Sequence, residues 1–223
     1  MANQAKWLKT KKSTVFPLRT EDLLVFEKRL YAQGFRLLAG LDEVGRGCLA
    51  GPVVAAAVIF PRLRRGLSFI NDSKKLTPLQ REKAYKEITQ RAITWGIGFV
   101  GAEEIDRINI FQASKKAMLL ALKQLSVKPD HLLIDGNFGI DSEVSQTSII
   151  QGDARSISIA AASIMAKVTR DRWIAETGKE YPRFSFAKHK GYGTPEHLKE
   201  ISLHGLTDLH RRSFSPCQQY QLL

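Results

Sequence analysis

Short apolar runs bounded by glycine, proline or polar residues recur along the chain. Residues 36–43 and 52–60 form two such runs around a glycine-rich turn, and residues 94–100 form a third. Runs of this length and composition are typical of buried β-strands. Three further strands, one buried and two less regular, are predicted at 131–135, 67–70 and 148–150.

Helical periodicity accounts for much of the remaining sequence. Residues 20–33 carry apolar side chains at helical spacing and are followed by Gly34, which predicts an amphipathic helix. Thr77-Pro78-Leu79-Gln80 is a capping box with proline in the first turn, so a helix should run from there to about residue 91. The other predicted helices, the first of them interrupted near Asn109, lie at 102–125, 156–177 and 195–204.

This order of elements predicts an α/β fold, a mixed sheet flanked by helices with a helical C-terminal part. We expect a basic arm at 1–19 and one domain at 20–223, in which the C-terminal part begins at about residue 178. Loops are expected at 136–147 and 183–193, and the tail from His210 onwards is expected to be loosely held.

The chain is strongly basic. Its 34 Lys and Arg residues outnumber 22 Asp and Glu residues, which gives a formal net charge of +12. A surplus of this size indicates a polyanionic partner, most often nucleic acid, although a basic protein without such a partner remains an alternative. A hydrophobic content of 43% over 223 residues is enough for a full core without disulfides.

Cysteine usage and hydropathy indicate a cytoplasmic protein, and we expect it to be a monomer. The two cysteines, Cys48 and Cys217, make no disulfide framework, and Cys48 lies in an apolar context typical of a core residue in a reducing cytosol. No apolar run approaches the length of a membrane span, and the basic segment 1–19 lacks the apolar stretch of a secretory signal.

Four acidic residues stand at the ends of predicted core elements, each near a glycine. They are Asp42, Glu43, Asp135 and Asp153. Hard oxygen ligands without His or Cys suit Mg²⁺ or Mn²⁺, and on a basic protein such a cluster indicates phosphodiester chemistry with two metal ions. Adjacent strand residues point to opposite faces, so Asp42 and Glu43 can share a site only where the strand distorts or ends. The alternative for Asp135 and Asp153 is that they are caps or turn formers.

Five motifs in the order LDEVGRGCLAGPVVAAAVIF, NDSKKLT, IDGN, GDARSISIAAASIMAKVTRD and HKGYGTPEH resemble bacterial ribonuclease HII, the type 2 ribonuclease H. The resemblance spans about residues 38–197. It implies a ribonuclease H-like sheet and a divalent-metal site made by the four carboxylates, with Asp42 as the candidate ligand of both ions. It also implies cleavage of RNA/DNA hybrids and of single ribonucleotides embedded in duplex DNA, 5′ to the ribonucleotide, leaving 3′-hydroxyl and 5′-phosphate ends.

The same resemblance implies substrate contacts. The turn Gly45-Arg46-Gly47 would sense the ribose 2′-hydroxyl, and Tyr192 would stack on the next deoxyribose. The candidate phosphate contacts are Lys74, Lys75, Arg155, Lys167, His189 and Lys190. The alternatives are an ordinary tight turn for the glycines, a core position for the tyrosine, and a solvated surface for the lysines.

The chain departs from the family pattern at two places. Gln151 stands where the family commonly has lysine, and the C-terminal QQYQLL resembles a sliding-clamp-binding peptide only loosely. Two other functions stay open: another metal-dependent nuclease of the superfamily, such as a Holliday-junction resolvase or a transposase-like core, or a hybrid-binding protein without catalysis. The first would not need the GRG and HKGYGT motifs, and an inactive relative would usually have lost one of the four acids.

Overall fold

The computed structural model describes residues 22–62, 67, 70 and 73–220, so the predicted basic arm at 1–19 lies outside the described residues. The strands are β1 Leu38–Val44, β2 Val53–Ile59, β3 Thr94–Val100, β4 His131–Asp135 and β5 Ser145–Ile149. They form one sheet in the order β3-β2-β1-β4-β5. The pairs β1–β2 and β2–β3 are antiparallel, whereas β1–β4 and β4–β5 are parallel. The predicted mixed sheet is confirmed.

The two weaker strand predictions need correction. The predicted edge strand at 148–150 is β5, which begins earlier, at Ser145. The prediction missed this start because the sequence SQTSI carries no apolar signal; the strand is defined by its backbone pairing with β4. Of the predicted strand at 67–70, Leu67 and Ile70 are described and neither lies in a strand. The amide of Ile70 donates to the carbonyl of Leu67 at 3.0 Å.

The described helices are α1 Val25–Ala32, α2 Pro78–Arg91, α3 Ala102–Ile108, α4 Ile110–Lys123, α5 Ile157–Thr177, α6 Phe186–His189, α7 Pro195–His204 and α8 Ser215–Gln218. The capping box of Thr77 and Gln80 is confirmed. The predicted interruption is also confirmed: Asn109 has φ 67° and its side chain caps α4. None of the described helices is long and apolar enough to cross a membrane.

Two loop predictions were wrong in the C-terminal part. The loop predicted at 183–193 contains α6, and the tail predicted to be loose contains α8. Cys217 is fully buried in a cluster with Phe186 and Ile201, and Leu49 joins the same cluster. This packing fixes the tail because its apolar residues cover the turn between β1 and β2 instead of facing water.

The sheet is packed between α5 on one face and α4 on the other. Along β2, Val54, Ala56 and Val58 join the core cluster of α5, while the alternate residues join that of α4. Small residues let α5 lie close to β1: a Cβ at Gly40 would come within 2.1 Å of the Ser158 carbonyl carbon. Helix α5 therefore crosses the end of β1, next to Asp42 and Glu43.

Candidate active site

A cavity of about 150 Å³ opens where β1 and β4 end. The residues that line it come from six separate stretches of the chain and are Asp42, Glu43, Val44, Ser73, Lys74, Asp135, Asp153, Ser163, Lys167 and Tyr192. All four predicted carboxylates are thus brought to one cavity.

Asp42 and Glu43 reach this cavity from opposite faces of β1. Asp42 pairs with Ala56, which faces α5, and Glu43 pairs with Ala55, which faces α4. The strand stays regular to Val44 and then stops at Gly45, which has φ 92°. Strand geometry allows two adjacent residues to share a site only where the strand distorts or ends. Here the strand ends, so both side chains reach the cavity.

Asp135 and Asp153 are joined through the backbone of the loop between β5 and α5. The amide of Gly152 donates to Asp135 Oδ1 at 2.6 Å, which holds the following residue, Asp153, beside the end of β4. Asp153 lies in a short 3₁₀ turn, Gly152–Ala154, and is almost completely buried. A capping or turn role alone does not account for both carboxylates lining the same cavity.

Burial and mutual repulsion act on this cluster. Burial, reinforced by the charges of Glu43 and Asp135, raises the pKa of Asp42 well above its ordinary value. Burial also raises the pKa of Glu43, although the guanidinium of Arg46 opposes that shift. The pKa of Asp135 is raised by burial as well, against the hydrogen bond from Gly152. The protein alone therefore does not neutralise the cluster, and added positive charge would stabilise it.

The chemistry of these side chains fits a divalent cation. Every carboxylate offers oxygen, the buried Glu43 Oε2 has no hydrogen-bond partner, and Lys74 Nζ already lies 2.8 Å from Asp153 Oδ2. Oxygen donors in this number suit Mg²⁺ or Mn²⁺. Among the residues that the structure describes, no group of three or more His, Cys, Asp or Glu side chains is arranged, as it stands, to hold a metal ion.

The predicted substrate turn and tyrosine lie beside the carboxylates. Arg46 Nη1 is 3.2 Å from Glu43 Oε1. Tyr192 lines the cavity, is 37% exposed, and carries Lys167 Nζ at 5.5 Å from its ring centroid. Burial of the rest of this side chain raises the pKa of Tyr192 to about 12, so the phenol stays protonated at neutral pH. Tyr192 therefore faces the cavity instead of the core.

The predicted phosphate contacts are scattered around this site. Lys74 and Lys167 line the cavity, and Lys75, which follows Lys74 in the sequence, is exposed. Arg155 is exposed, with its guanidinium donating to the carbonyl of Ile150. Partial burial lowers the pKa of Lys190, whose Nζ reaches the Asp171 carbonyl at 3.4 Å.

His189 does not fit the phosphate-contact prediction. Its ring is buried, its Nε2 lies 2.9 Å from Glu200 Oε2, and its Nδ1 accepts from the amide of Gly191. Both ring nitrogens are used inside the protein because α6 and α7 pack together there. The structure places this histidine as an internal support of the loop that carries Tyr192.

Sequence reasoning missed two serines at the cavity and two arginines behind it. Ser73 Oγ and Ser163 Oγ are 2.9 Å apart, and Ser163 also hydrogen-bonds Asp42. Arg170 and Arg211 are fully buried behind the Gly45-Arg46-Gly47 turn. The serines are 90 residues apart, and an arginine in sequence is ordinarily a surface residue, so no local pattern signals either pair.

Comparisons with known proteins point to one family. A family model described as "Ribonuclease HII" matches residues 39–217. A protein named "Ribonuclease HII" from Geobacillus thermodenitrificans (strain NG80-2) is 52% identical over 201 residues, which cover 90% of this chain and 77% of the relative.

Two solved structures share the fold. Ribonuclease H2 from Pyrococcus horikoshii OT3 superposes with a TM-score of 0.69 and 25% identity, covering 83% of this chain and 97% of that one. A ribonuclease HII from Archaeoglobus fulgidus, solved in complex with PCNA, superposes with a TM-score of 0.67 and 26% identity, covering 80% of this chain and 95% of that one.

Proposed function

This chain belongs to the ribonuclease HII family, metal-dependent endoribonucleases of the type 2 ribonuclease H class, and from that premise we propose the following reaction. The protein cuts RNA in RNA/DNA hybrids and single ribonucleotides embedded in duplex DNA. The cut falls 5′ to the ribonucleotide and leaves 3′-hydroxyl and 5′-phosphate ends.

One observation carries the proposal: the four carboxylates and Tyr192 line one small cavity at the end of β1, and the Gly45-Arg46-Gly47 turn follows directly, with Arg46 3.2 Å from Glu43. A site for a phosphate and a site for its sugar are thereby adjacent. A nuclease that ignored the sugar would have no need of the turn and the tyrosine beside its carboxylates.

The carboxylates would hold Mg²⁺ or Mn²⁺, two ions in the reactive complex. Asp42, the most central of them, would bind both ions, and the other three would complete the two sets of ligands. When bound, such ions lower the pKa of a water for in-line attack and stabilise the leaving 3′-oxygen. No side chain is needed as a nucleophile.

The protein's own groups would bind and orient the substrate. Gly45, Arg46 and Gly47 would contact the ribose, where the 2′-hydroxyl is the local difference between RNA and DNA. Tyr192 would stack on the next deoxyribose, and Lys167, which lies against the same ring, would contact a neighbouring phosphate. Lys74, Lys75, Arg155 and Lys190 are further candidates for backbone contacts.

A partner is proposed for the C-terminal tail. The Archaeoglobus fulgidus structure is a complex of a ribonuclease HII with PCNA, a sliding clamp, and the tail here ends in QQYQLL. We propose a weak clamp contact through this tail, of which residues 221–223 lie outside the described part of the chain. The catalytic protein is proposed to act as a monomer in the cytoplasm.

A cleavage assay tests the reaction. A labelled duplex with one embedded ribonucleotide, incubated with Mg²⁺ or Mn²⁺, should be nicked 5′ to that nucleotide, while the all-DNA duplex of the same sequence stays intact. Product ends are read by ligation and by mobility against marker strands. Equal cleavage of both duplexes would contradict the proposal.

The Asp42→Asn variant tests the metal site. The amide cannot supply an anionic oxygen to both ions, so nicking should fall by about a hundredfold or more, the cost of losing one group that stabilises the reacting charge. Affinity for the duplex should change little, because phosphate contacts dominate binding. Activity near that of the unsubstituted protein would remove Asp42 from the metal site.

A further inference from the structure

The Gly45-Arg46-Gly47 turn is held from behind by a C-terminal segment that lies beyond the five sequence motifs, the last of which ends at His197. This segment, residues 207–214, is called here the C-terminal strap. Its backbone pairs with the turn region: Gly51 donates to the carbonyl of Leu209 at 2.8 Å, and Arg211 donates to that of Leu49 at 2.8 Å. The strap is therefore hydrogen-bonded to the chain just after the turn.

Arg211 extends this pairing to the turn itself. Its Nη1 donates to the carbonyl of Arg46 at 2.9 Å, and its Nε and Nη2 donate to the carbonyl of Gly51 at 3.0 and 2.8 Å. The side chain is 0% exposed. The guanidinium thus ties Arg46, the middle of the turn, to Gly51, 5 residues further along the chain.

Arg170 of α5 performs the matching task on the other side. It donates to the carbonyls of Pro52 at 2.9 Å, Ala50 at 3.0 Å and Lys190 at 2.9 Å. The last of these lies two residues before Tyr192, so one side chain joins the turn region to the tyrosine loop. Arg170 is also 0% exposed.

Carbonyl oxygens are unusual main partners for a buried guanidinium. A charge taken out of water is ordinarily paired with a carboxylate, and a cage of carbonyl dipoles is a weaker compensation. The rigid fork of arginine, however, can hold several carbonyls at fixed separations, which an ammonium cannot. This arrangement suits a role in fixing backbone geometry.

We propose that Arg211, delivered by the C-terminal strap, is a positioning residue that sets the Gly45-Arg46-Gly47 turn for discrimination between ribose and deoxyribose. The inference rests on the proposed function, because it assigns the turn to the sugar. Arg211 touches neither substrate nor metal; it acts through the carbonyl of Arg46. Arg170 supports the same turn from α5.

The test compares two constants measured with the full chain and Mg²⁺. One is KM for a duplex with a single embedded ribonucleotide; the other is Ki of the matched all-DNA duplex as a competitive inhibitor. The ratio Ki/KM reports sugar discrimination and does not depend on the folded fraction of the sample. Arg211→Lys keeps the charge and loses the fork, so the ratio should fall by about fivefold or more, the factor that one lost hydrogen bond is worth.

Arg212→Lys is the matched control. Arg212 is the next residue along the strap and its side chain is exposed, so the same exchange there should leave Ki/KM unchanged. A ratio that is unchanged in a folded Arg211→Lys protein overturns the inference. If the unsubstituted protein itself shows no preference for the ribonucleotide duplex, the proposed function fails instead, and the two failures are distinguishable.

A second variant decides the matter if Arg211→Lys does not fold. The strap is anchored at the surface by Asp106, whose carboxylate accepts from the amides of Arg212 at 2.8 Å and Ser213 at 2.9 Å. Asp106→Ala loosens this anchor while Arg211 stays in place. A fall in Ki/KM of about twofold or more supports the positioning role, since loosening the anchor should cost only part of the free energy of one hydrogen bond to the turn. An unchanged ratio overturns it.

Discussion

Gly45 and Gly47 stand two residues apart in one turn and are glycines for different physical reasons. Gly45 has φ 92°, and a Cβ there would lie 2.3 Å from Arg170 Nε, so both backbone conformation and packing demand glycine. A Cβ at Gly47 would meet nothing within 4 Å. Packing within the protein therefore leaves Gly47 unexplained, and a closely approaching sugar would explain it.

This contrast predicts that the same substitution affects activity at Gly47 and stability at Gly45. Gly47→Ala should unfold at the temperature of the unsubstituted protein and lose at least about tenfold in kcat/KM on a single-ribonucleotide duplex, because the methyl group occupies the sugar's place. Gly45→Ala should lower the free energy of unfolding by about 1–3 kcal/mol or more through backbone strain and the clash with Arg170. Thermal melts and steady-state kinetics separate the two. Full activity of Gly47→Ala would remove it from the sugar contact.

At the scale of elements, the loop that carries Tyr192 is fixed by two neutral histidines. Thr207 N donates to His210 Nδ1 at 2.9 Å, so the proton of His210 is on Nε2, which lies 3.0 Å from His197 Nε2. His197 in turn donates from Nδ1 to the carbonyl of Tyr192 at 2.9 Å. Helix α7 and the strap are thereby joined to the tyrosine loop by one chain of hydrogen bonds.

This chain requires both imidazoles to be uncharged. Burial first, and the neighbouring histidines second, lower the pKa of His210 to about 3. Burial lowers the pKa of His197 to about 4, against the hydrogen bond to Tyr192 and the charge of Glu200. In the unfolded chain both groups return to about 6.5, so the unfolded state binds more protons below that pH.

Stability should therefore fall as the pH drops from about 6.5 towards 4, by up to about 1.4 kcal/mol per pH unit for each histidine. Urea unfolding at several pH values measures the slope. His210→Asn removes one of the two groups, so it should reduce the slope of stability against pH by up to about 1.4 kcal/mol per pH unit, even though it lowers stability at pH 7. His204→Asn, at an exposed position of α7, is the control and should leave the slope unchanged. Equal slopes in His210→Asn and the unsubstituted protein would contradict this account.

At the scale of the whole molecule, a small acidic cavity lies in a protein with a formal net charge of +12. The positive surface attracts the phosphate backbone over a distance of about 8–10 Å at ordinary ionic strength. The carboxylates repel that backbone locally unless cations neutralise them. Binding and reaction thus depend on opposite charges, the first on the basic surface and the second on the acidic cavity.

Duplex affinity should accordingly weaken with salt, by about a hundredfold between about 50 and about 200 mM for four or more phosphate contacts. Lys75→Ala should reduce the slope of log Kd against log salt by about one. Lys123→Ala, on the exposed end of α4 and away from the cavity, should leave the slope unchanged. Fluorescence anisotropy at several salt concentrations measures both; an affinity that ignores salt would argue against binding through phosphates.

The sequence alone determined the mixed sheet, the positions of its apolar strands to within about two residues, the capped start of α2, the break at Asn109 and the choice of the four acids. Each of these depends on a pattern or a motif that residues close together in the sequence form. Strand β5 was misplaced because a polar edge strand carries no hydrophobic signal. The tail was misjudged because its contacts are with distant parts of the chain, as in the hydrogen bonds of Arg211 to residues 160 and 165 positions away.

Only the tertiary structure decided which residues stand behind the site. The end of β1 brings Asp42 and Glu43 together from opposite faces, and the passage of α5 over β1 delivers Ser163 and Arg170. The strap returns from the far end of the chain and buries Arg211 against the turn. Long-range burial turns arginine and histidine from surface residues into internal supports, and no local pattern encodes it because the partners are backbone carbonyls, which every residue has.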